Sequence, residues 1–415
     1  MKYQRTFWLS LTILATLSAL LVPSSSPVMG EAPDRVKVLI GFRSPAGPAQ
    51  AALVRRAGGQ VKYTYHLVNA IAATLPEPAV DQLRGRAQVS HIEPDQRMRA
   101  LDIELDNAWG VKAIGAGEVH TSYSNEGAGV GIAIIDSGIN YRHPDLDGNY
   151  VGGEDFVELD SDPWDVYGHG THVAGTACAE DNDNGDATGP YGVVGIAPAC
   201  DLYALKVLDD NGFGDASDLI AALEWAVDHG VEIANLSLGW DRDPGITVET
   251  AFSNAEAAGM VIVAAACNNG NPPGKGENIC WPGKYPSVIA VAATDDADRR
   301  ATFSSTGTEV ELAAPGASVL STWNDTTGYY DPQPFCRTEE GISDVCYKYG
   351  SGTSMAAPHV AGTAALVIAG GIADEDGDGN INDEVRRRLL DTADDLGDAG
   401  WDPQFGYGLI DALEA

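Results

Sequence analysis

The chain has 415 residues, 44% of them hydrophobic and 20% charged, enough apolar material for a large core beside a smaller one, which excludes disordered and collagen-like classes. Its 25 Lys and Arg against 60 Asp and Glu leave a net charge of −35, so the surface repels nucleic acid and anionic lipid, and neither a nucleic-acid partner nor a membrane partner is expected. The charge is uneven, net +4 over residues 31–100 and net −41 over residues 101–415, and only 8 of the basic residues are Lys, a composition that suits a salt-rich habitat as well as a secreted calcium-binding protein.

Lys2 and Arg5 precede an apolar run at residues 7–22, and a small, polar stretch follows at 23–30, the order of a cleaved export signal. The run is shorter than the roughly 20 residues that span a bilayer. Apolar stretches at 36–42, 61–75 and 89–97 then alternate with helical patterns at 48–56 and 76–85, a small βαββαβ-like unit. From residue 101 onward the strands become almost wholly apolar, at 130–135, 202–208, 231–238, 260–266 and 287–293. Such strands are buried on both faces. Helical patterns at 215–229, capped by Asp215 or Ser217, and at 247–258 lie between them, so an α/β fold with a mainly parallel sheet covered by helices is expected. In that architecture ligands sit at the carboxyl ends of the strands. The six cysteines (Cys178, Cys200, Cys267, Cys280, Cys336, Cys346) all follow residue 100. In an exported domain they predict three disulfides. About 15 connectivities are open; pairing between sequence neighbours is expected, Cys336 and Cys346 above all because they bracket one short loop.

Three segments carry the chemistry. Asp136 ends an apolar strand before Ser137 and Gly138, which puts a carboxylate at the active edge of the sheet, although a turn Asp there needs no function. His169 stands between Gly168 and Gly170 at the start of a helix, where glycine on each side admits another backbone. His172 follows at i+3, which is not the i, i+4 spacing of the helical zinc motif, so zinc is not expected. Ser354 lies in Gly352-Thr-Ser-Met near the N-terminus of a helix running to about Ile368, where free N–H groups favour a developing negative charge; the plainer reading is that Thr353 or Ser354 caps that helix. Taken together, Asp, His and Ser at element ends beside glycines are the parts of nucleophilic acyl transfer. Asn268, at the end of a buried strand, offers a side-chain amide to an oxyanion.

The blocks Ile135-Asp-Ser-Gly138, Gly168-His-Gly-Thr-His-Val-Ala-Gly175 and Gly352-Thr-Ser-Met-Ala-Ala-Pro-His-Val-Ala-Gly362 resemble the three active-site signatures of subtilisin-like serine proteases, in the chain order known for subtilisin. The resemblance covers about residues 105–415. It implies a three-layer subtilisin-like fold with Asp136, His169 and Ser354 as the triad, Asn268 as oxyanion donor, and His172 and His359 as structural histidines. It implies that Gly212, Gly214, Ser237, Leu238 and Gly239 hold an extended polypeptide substrate as an added strand. Residues 31–100 resemble the small, ferredoxin-like α+β propeptide of such enzymes, which inhibits the enzyme, assists its folding and leaves its C-terminal strand in the cleft. The organisation expected is therefore a signal peptide at 1–30, an inhibitory propeptide at 31–100 and a catalytic domain at 101–415, cut around residues 98–105, secreted and monomeric. Cys267 and Cys280 stand where the family commonly has glycines, and a bridge between them would stiffen the primary specificity pocket. An extra segment at about 326–347, closed by Cys336 and Cys346, is expected near the cleft.

Calcium is the one cofactor expected, with no organic cofactor. Asp374-Glu-Asp376-Gly-Asp378-Gly379-Asn380 reproduces the first half of an EF-hand loop, with acidic ligands at positions one, three and five and glycine at six. Position twelve is Val385, so Asp383, Glu384 or water must stand in for the usual Glu. Asp145 matches a calcium ligand of the family, completed by a loop at 181–186 that is longer than usual. Two rivals remain at this stage. A catalytically silent calcium-binding or adhesion module would need a broken site, and every position is filled; a lipase would need G-x-S-x-G with a Ser, Asp, His order, which is not present.

Overall fold

The computed structural model describes residues 35–95, 103–182, 191–270, 277–324, 334–339 and 342–415; the expected export signal, residues 98–102 of the expected processing segment and much of the 181–186 loop lie outside them. The chain divides into two compact units, Met1–Ala100 and Leu101–Ala415.

In the first unit β1 (Arg35–Phe42), α1 (Pro48–Arg56), β2 (Gln60–Thr64), β3 (Ala70–Pro76), α2 (Glu77–Arg84) and β4 (Val89–Pro94) follow in order. The strands form an antiparallel sheet in the order β2-β3-β1-β4. The stretch at 61–75 splits into β2 and β3 because the chain reverses between them, with the Tyr65 N–H donating to Ala70 O. Ile40, Ile71 and Leu75 from the sheet meet Val54 of α1 and Leu83 of α2 in one small core.

The second unit opens with short helices α3 (Ile103–Asn107), α4 (Trp109–Ala113) and α5 (Ala116–Glu118) and a π-helical turn. There follow β5 (Gly131–Asp136), β6 (Tyr150–Asp155), α6 (His169–Cys178), β7 (Asp201–Lys206), α7 (Ala216–Asp228), β8 (Ile233–Leu236), α8 (Ile246–Ala257), β9 (Val261–Ala265), β10 (Ile289–Thr294) and β11 (Val310–Pro315). The last stretch holds β12 (Val319–Trp323), β13 (Phe335–Glu339), β14 (Ile342–Gly350), α9 (Thr353–Ala369) and α10 (Asn382–Asp391). Seven strands make one sheet in the order β11-β10-β9-β8-β5-β7-β6, every neighbour parallel. The all-apolar strands need cover on both sides, and the two-residue period of β5 shows how they get it. Ile132 and Ile134 pack with Val173 of α6 and Val360 and Ala361 of α9, whereas Ala133 and Ile135 pack with Leu219 of α7 and Phe252 of α8. The result is three layers, helix, sheet and helix.

Helix α7 buries Leu219, Ala222, Leu223 and Ala226, the i, i+3, i+4, i+7 stripe that faces a sheet. Its expected side-chain cap is absent: Asp215 occupies the N-cap position without a capping bond, and the Ser217 hydroxyl donates to Asp218 instead. Strands β12, β14 and β13 form a separate antiparallel sheet, in which Cys336 sits directly opposite Cys346. Three disulfides join Cys178 to Cys200, Cys267 to Cys280 and Cys336 to Cys346, with Cα separations of 6.0, 5.8 and 4.1 Å. Among the described residues no helix is long and apolar enough to cross a membrane.

Because Ile134 is fully buried in the central strand, Ile134→Ala should lower stability by about 2–5 kcal/mol through lost burial and a cavity. Denaturant unfolding of the chain carrying Ser354→Ala checks this; a midpoint unchanged within error would mean that the two-sided packing of β5 has been misread.

Candidate active site

Strand β5 delivers Asp136 to the carboxyl edge of the sheet with no exposed surface. Its Oδ1 accepts the Ser137 N–H at 2.8 Å and lies 2.8 Å from His169 Nδ1. Gly168, at φ +95°, starts α6 in a conformation that L side chains rarely adopt. At the next turn position a Cβ on Gly170 would collide with the Gly138 carbonyl, so glycine is what lets the start of α6 reach the end of β5. With Nδ1 donating to the carboxylate, Nε2 keeps its lone pair, the arrangement of a general base. Burial lowers the proton affinity of the imidazole, but the Asp136 charge, the hydrogen bond to it and the charge of Asp165 outweigh burial and hold its pKa above the ordinary histidine value.

Asp165 is the functional residue that sequence reasoning missed. It is fully buried and accepts hydrogen bonds from Ser137 Oγ (3.0 Å), Gly168 N (2.7 Å), Thr171 N (2.9 Å) and Thr171 Oγ1 (2.6 Å). Burial raises its pKa to about 6 against the pull of those donors. It fastens the loop before α6 to the residue after Asp136, and so fixes the imidazole from behind. The available signal was an Asp four residues before the His, set between Trp164 and Val166.

Ser354 lies inside the first turn of α9, whose N-cap is Gly352 without a side-chain capping bond; neither Thr353 nor Ser354 caps the helix. Pro358, four residues on, sits within α9 and has no N–H to give the Ser354 carbonyl. Ser237 fills that gap, its Oγ donating to Ser354 O at 2.8 Å, while Ser354 Oγ donates to Ser237 O at 3.1 Å. The clamp is reciprocal, and in this state the Ser354 hydroxyl rests on the Ser237 carbonyl rather than on His169. Asn268 is placed beside it: its Oδ1 accepts the Thr353 N–H at 2.9 Å and the Thr353 hydroxyl at 3.2 Å. A backbone N–H fixes which end of the amide is oxygen, so the NH₂ is the end left to donate. Cys267, just before it, has φ +77°, and its disulfide lies against Gly239, where a Cβ would stand 2.7 Å from Cys280 Sγ.

A groove of about 340 Å³ gathers His169, Tyr167, Gly212, Phe213, Gly214, Ser237, Leu238 and Gly239. Its two walls are the loop after β7 and the extension of β8. Gly212, at φ +78°, closes a tight turn whose N–H donates to Asp209 O, and Phe213 at its tip is 75% exposed. A larger cavity, about 670 Å³ between Val119, Leu366, Arg388 and Leu413, contains no candidate catalytic or substrate-binding residue.

His172 and His359 lie in the packing rather than at the groove. His172 Nε2 lies 2.9 Å from Lys348 O and 3.2 Å from Val319 O, and burial pushes its pKa down to about 3. His359 Nδ1 lies 2.8 Å from Met355 O, and burial pushes its pKa down to about 4. Of the metal candidates, carboxylate oxygens of Asp374, Asp376 and Glu384 come within 4.8 Å of one another. Asp378 is not one of that trio; its Oδ1 accepts the Asn380 N–H at 2.8 Å. Asp145 is buried and accepts the Val193 N–H at 3.3 Å; residues 183–190, expected beside it, lie outside the described residues.

Comparison with known proteins places this geometry. Residues 127–408 match the Subtilase family and residues 46–101 match the Peptidase inhibitor I9 family. The chain is 36% identical over 419 residues to Subtilisin E of Bacillus subtilis, covering 99% of each. It is 38% identical over 343 residues to Thermophilic serine proteinase of Bacillus sp. strain AK1, covering 82% of this chain and 75% of that one. Over 307 residues it is 40% identical to Subtilisin DY of Bacillus licheniformis, covering 74% of this chain and 97% of that one.

Two measurements check the electrostatics. Asp136→Asn removes the charge that overrides burial, so the NMR titration midpoint of His169, read in chains carrying Ser354→Ala, should fall below its value with Asp136 present; an unmoved midpoint would show that the pair is not coupled. The unfolded chain protonates histidine near pH 6.5, whereas folded His172 and His359 resist protonation down to about 3 and 4. At these two positions the unfolded state thus binds more protons in that window, and their contribution to stability should fall as pH drops below about 6.5. In melts from pH 7 to 4, His359→Gln should flatten part of this slope, and an identical slope would remove His359 from the account.

Proposed function

The chain belongs to the subtilase family and is a subtilisin-like serine endopeptidase carrying an inhibitor-type prodomain, and from that premise we propose that Asp136, His169 and Ser354 are its catalytic triad. The observation that carries the assignment is the 2.8 Å contact between a fully buried carboxylate and the imidazole of His169, a residue that lines the groove. Ser354 Oγ leaves the Ser237 carbonyl, gives its proton to His169 Nε2 and attacks the carbonyl carbon of the peptide bond. Asp136 holds the tautomer and stabilises the imidazolium that forms. The oxyanion is met by the Asn268 NH₂ and the Ser354 N–H, the latter at the start of α9 where the helix dipole adds to the field. His169 then protonates the leaving amine, and water repeats the cycle on the acyl-enzyme. Gly212, Gly214, Ser237, Leu238 and Gly239 bind an extended polypeptide between them through main-chain groups.

In this reading the chain is exported, residues 31–100 act as intramolecular inhibitor and folding aid, and cutting around residues 98–105 releases an enzyme that works as a monomer. Opposite net charges on the two segments, +4 and −41, support their association. Calcium is the structural cofactor assigned, with Asp145 among its ligands on the strength of the family resemblance; when bound it ties oxygen-rich loops to the fold. The silent-module alternative is weakened because Asp136, His169, Asn268 and Ser354 fill every position that the family resemblance calls for.

Casein digestion followed by gel tests the reading. The unaltered chain should shorten by about a prodomain and digest casein, and Ser354→Ala should stay long and lose turnover by about 10⁶, the scale known for subtilisin. Asn268→Ala should process but lose about 10²–10³ in turnover, again the scale known for subtilisin. If Ser354→Ala digests casein as well as the unaltered chain, Ser354 is not the nucleophile.

A further inference from the structure

Residues 370–381 join α9 to α10, and the stretch 374–384, which runs into the first turn of α10, carries acidic side chains at positions one, three and five with glycine at six. In the fold, Asp374, Asp376 and Glu384 bring carboxylate oxygens within 4.8 Å of one another. A second observation is independent of that cluster. The Glu384 side chain is 2% exposed, and its Oε2 is buried without a hydrogen-bond partner among the described residues. Leaving a carboxylate oxygen buried and unpaired beside two further carboxylates costs free energy through lost solvation and like-charge repulsion. Arg387 relieves only part of this, because its guanidinium is spread over Glu375 (2.9 Å), Asp383 (3.1 Å) and the other oxygen of Glu384 (3.5 Å).

We propose that Asp374, Asp376 and Glu384 form a divalent-cation site selective for calcium, in which Glu384 at loop position eleven replaces the usual carboxylate at position twelve. The helix start explains the shift by one. Because α10 begins at Asn382, consecutive residues point about 100° apart, and Val385 at position twelve turns into the core with no exposed surface. Glu384 faces back along the loop, where its Oε1 accepts the Glu375 N–H at 3.0 Å. An all-oxygen, multiply charged donor set on a loop with glycines at φ +79° and +98° (Gly377, Gly379) suits calcium better than a thiophilic or imidazole-seeking metal. The site would act on stability rather than on chemistry. Asn382 Nδ2 donates to Glu256 O at 3.0 Å, and Arg386 pairs with Glu311 and Glu256, so a cation here would secure the start of the helix that ties α8 to β11.

This deepens the calcium part of the proposed function, and its test separates the two. Full-length chain carrying Ser354→Ala is stripped with chelator, and bound calcium is counted by equilibrium dialysis; Glu384→Gln and the pair Asp374→Asn with Asp376→Asn are compared with it, folding being verified by circular dichroism. Each variant should lose one equivalent of calcium or bind it about tenfold or more weakly. Melting adds a readout that a merely structural role would not move. In calcium the variants should melt below the parent, and in chelator at or above it, because they have lost repulsion as well as a ligand. Unchanged stoichiometry and affinity in both variants would overturn this site while leaving calcium elsewhere. A parent that binds no calcium would overturn both readings, and variants that melt lower by the same amount with and without calcium would mark Glu384 as structural only.

Discussion

A carboxylate cut off from water depends on the few donors that reach it, and Asp136, whose Oδ2 is buried without a partner among the described residues, places that demand on Oδ1. Its oxygen is shared between the Ser137 N–H and the His169 imidazole. To bring those donors in, α6 must begin within reach of β5, which calls for Gly168 and Gly170 and for a second buried carboxylate, Asp165, to fasten the loop between. The wall of helices on each face of the sheet is what excludes the water that would otherwise do this work. Hence the apolar strands, the two glycines and the two buried acids are aspects of one constraint, the holding of an imidazole at a fixed place and tautomer.

The proposed nucleophile is held on a different principle. Ser354 sits in a helix interrupted by Pro358, and the carbonyl that the proline leaves without a partner is bonded by Ser237, whose own carbonyl receives the Ser354 hydroxyl. The strand that walls the groove and the helix that carries the nucleophile are thereby bound to each other through two hydrogen bonds. Displacement of one moves the other. Asn268 enters the same arrangement through Thr353, so the proposed oxyanion donor is indexed to the helix N-terminus.

Much of this was legible in the residues. All-apolar strands foretold a sheet covered on both faces, and the Gly-flanked His and the Ser before a run of small residues marked element ends where side chains can be exposed to a ligand. What escaped was whatever depends on partners distant in sequence. Asp165 reads as one acidic residue among sixty until Ser137, Gly168 and Thr171 are seen to converge on it. The turn between β2 and β3 was hidden because residues 61–75 contain neither Gly nor Pro, and periodicity cannot find a reversal that lacks such a signal. The cap expected from Asp215 failed for a related reason: propensity identifies the N-cap position, but the bond depends on a rotamer that tertiary contacts select. In the loop before α10, spacing gave the candidate acidic residues, while the placing of Glu384 rather than Asp383 beside Asp374 and Asp376 follows from the phase of the helix.

The strand order of the large sheet also bears on how the chain reaches this state. Central strand β5 pairs with β8 across about a hundred residues, as Ile132 meets Ile233, and no hairpin shortens the search. Closing such distances loses chain entropy before contacts repay it, so this unit belongs among slow folders. The first unit, with β2 and β3 joined by a short reversal and paired antiparallel, closes locally and can be complete earlier. For a serine endopeptidase, that difference in rate has a population-level meaning: each unfinished copy is food for each finished one. The time spent unfolded, more than the depth of the folded well, then limits how many molecules survive their own synthesis.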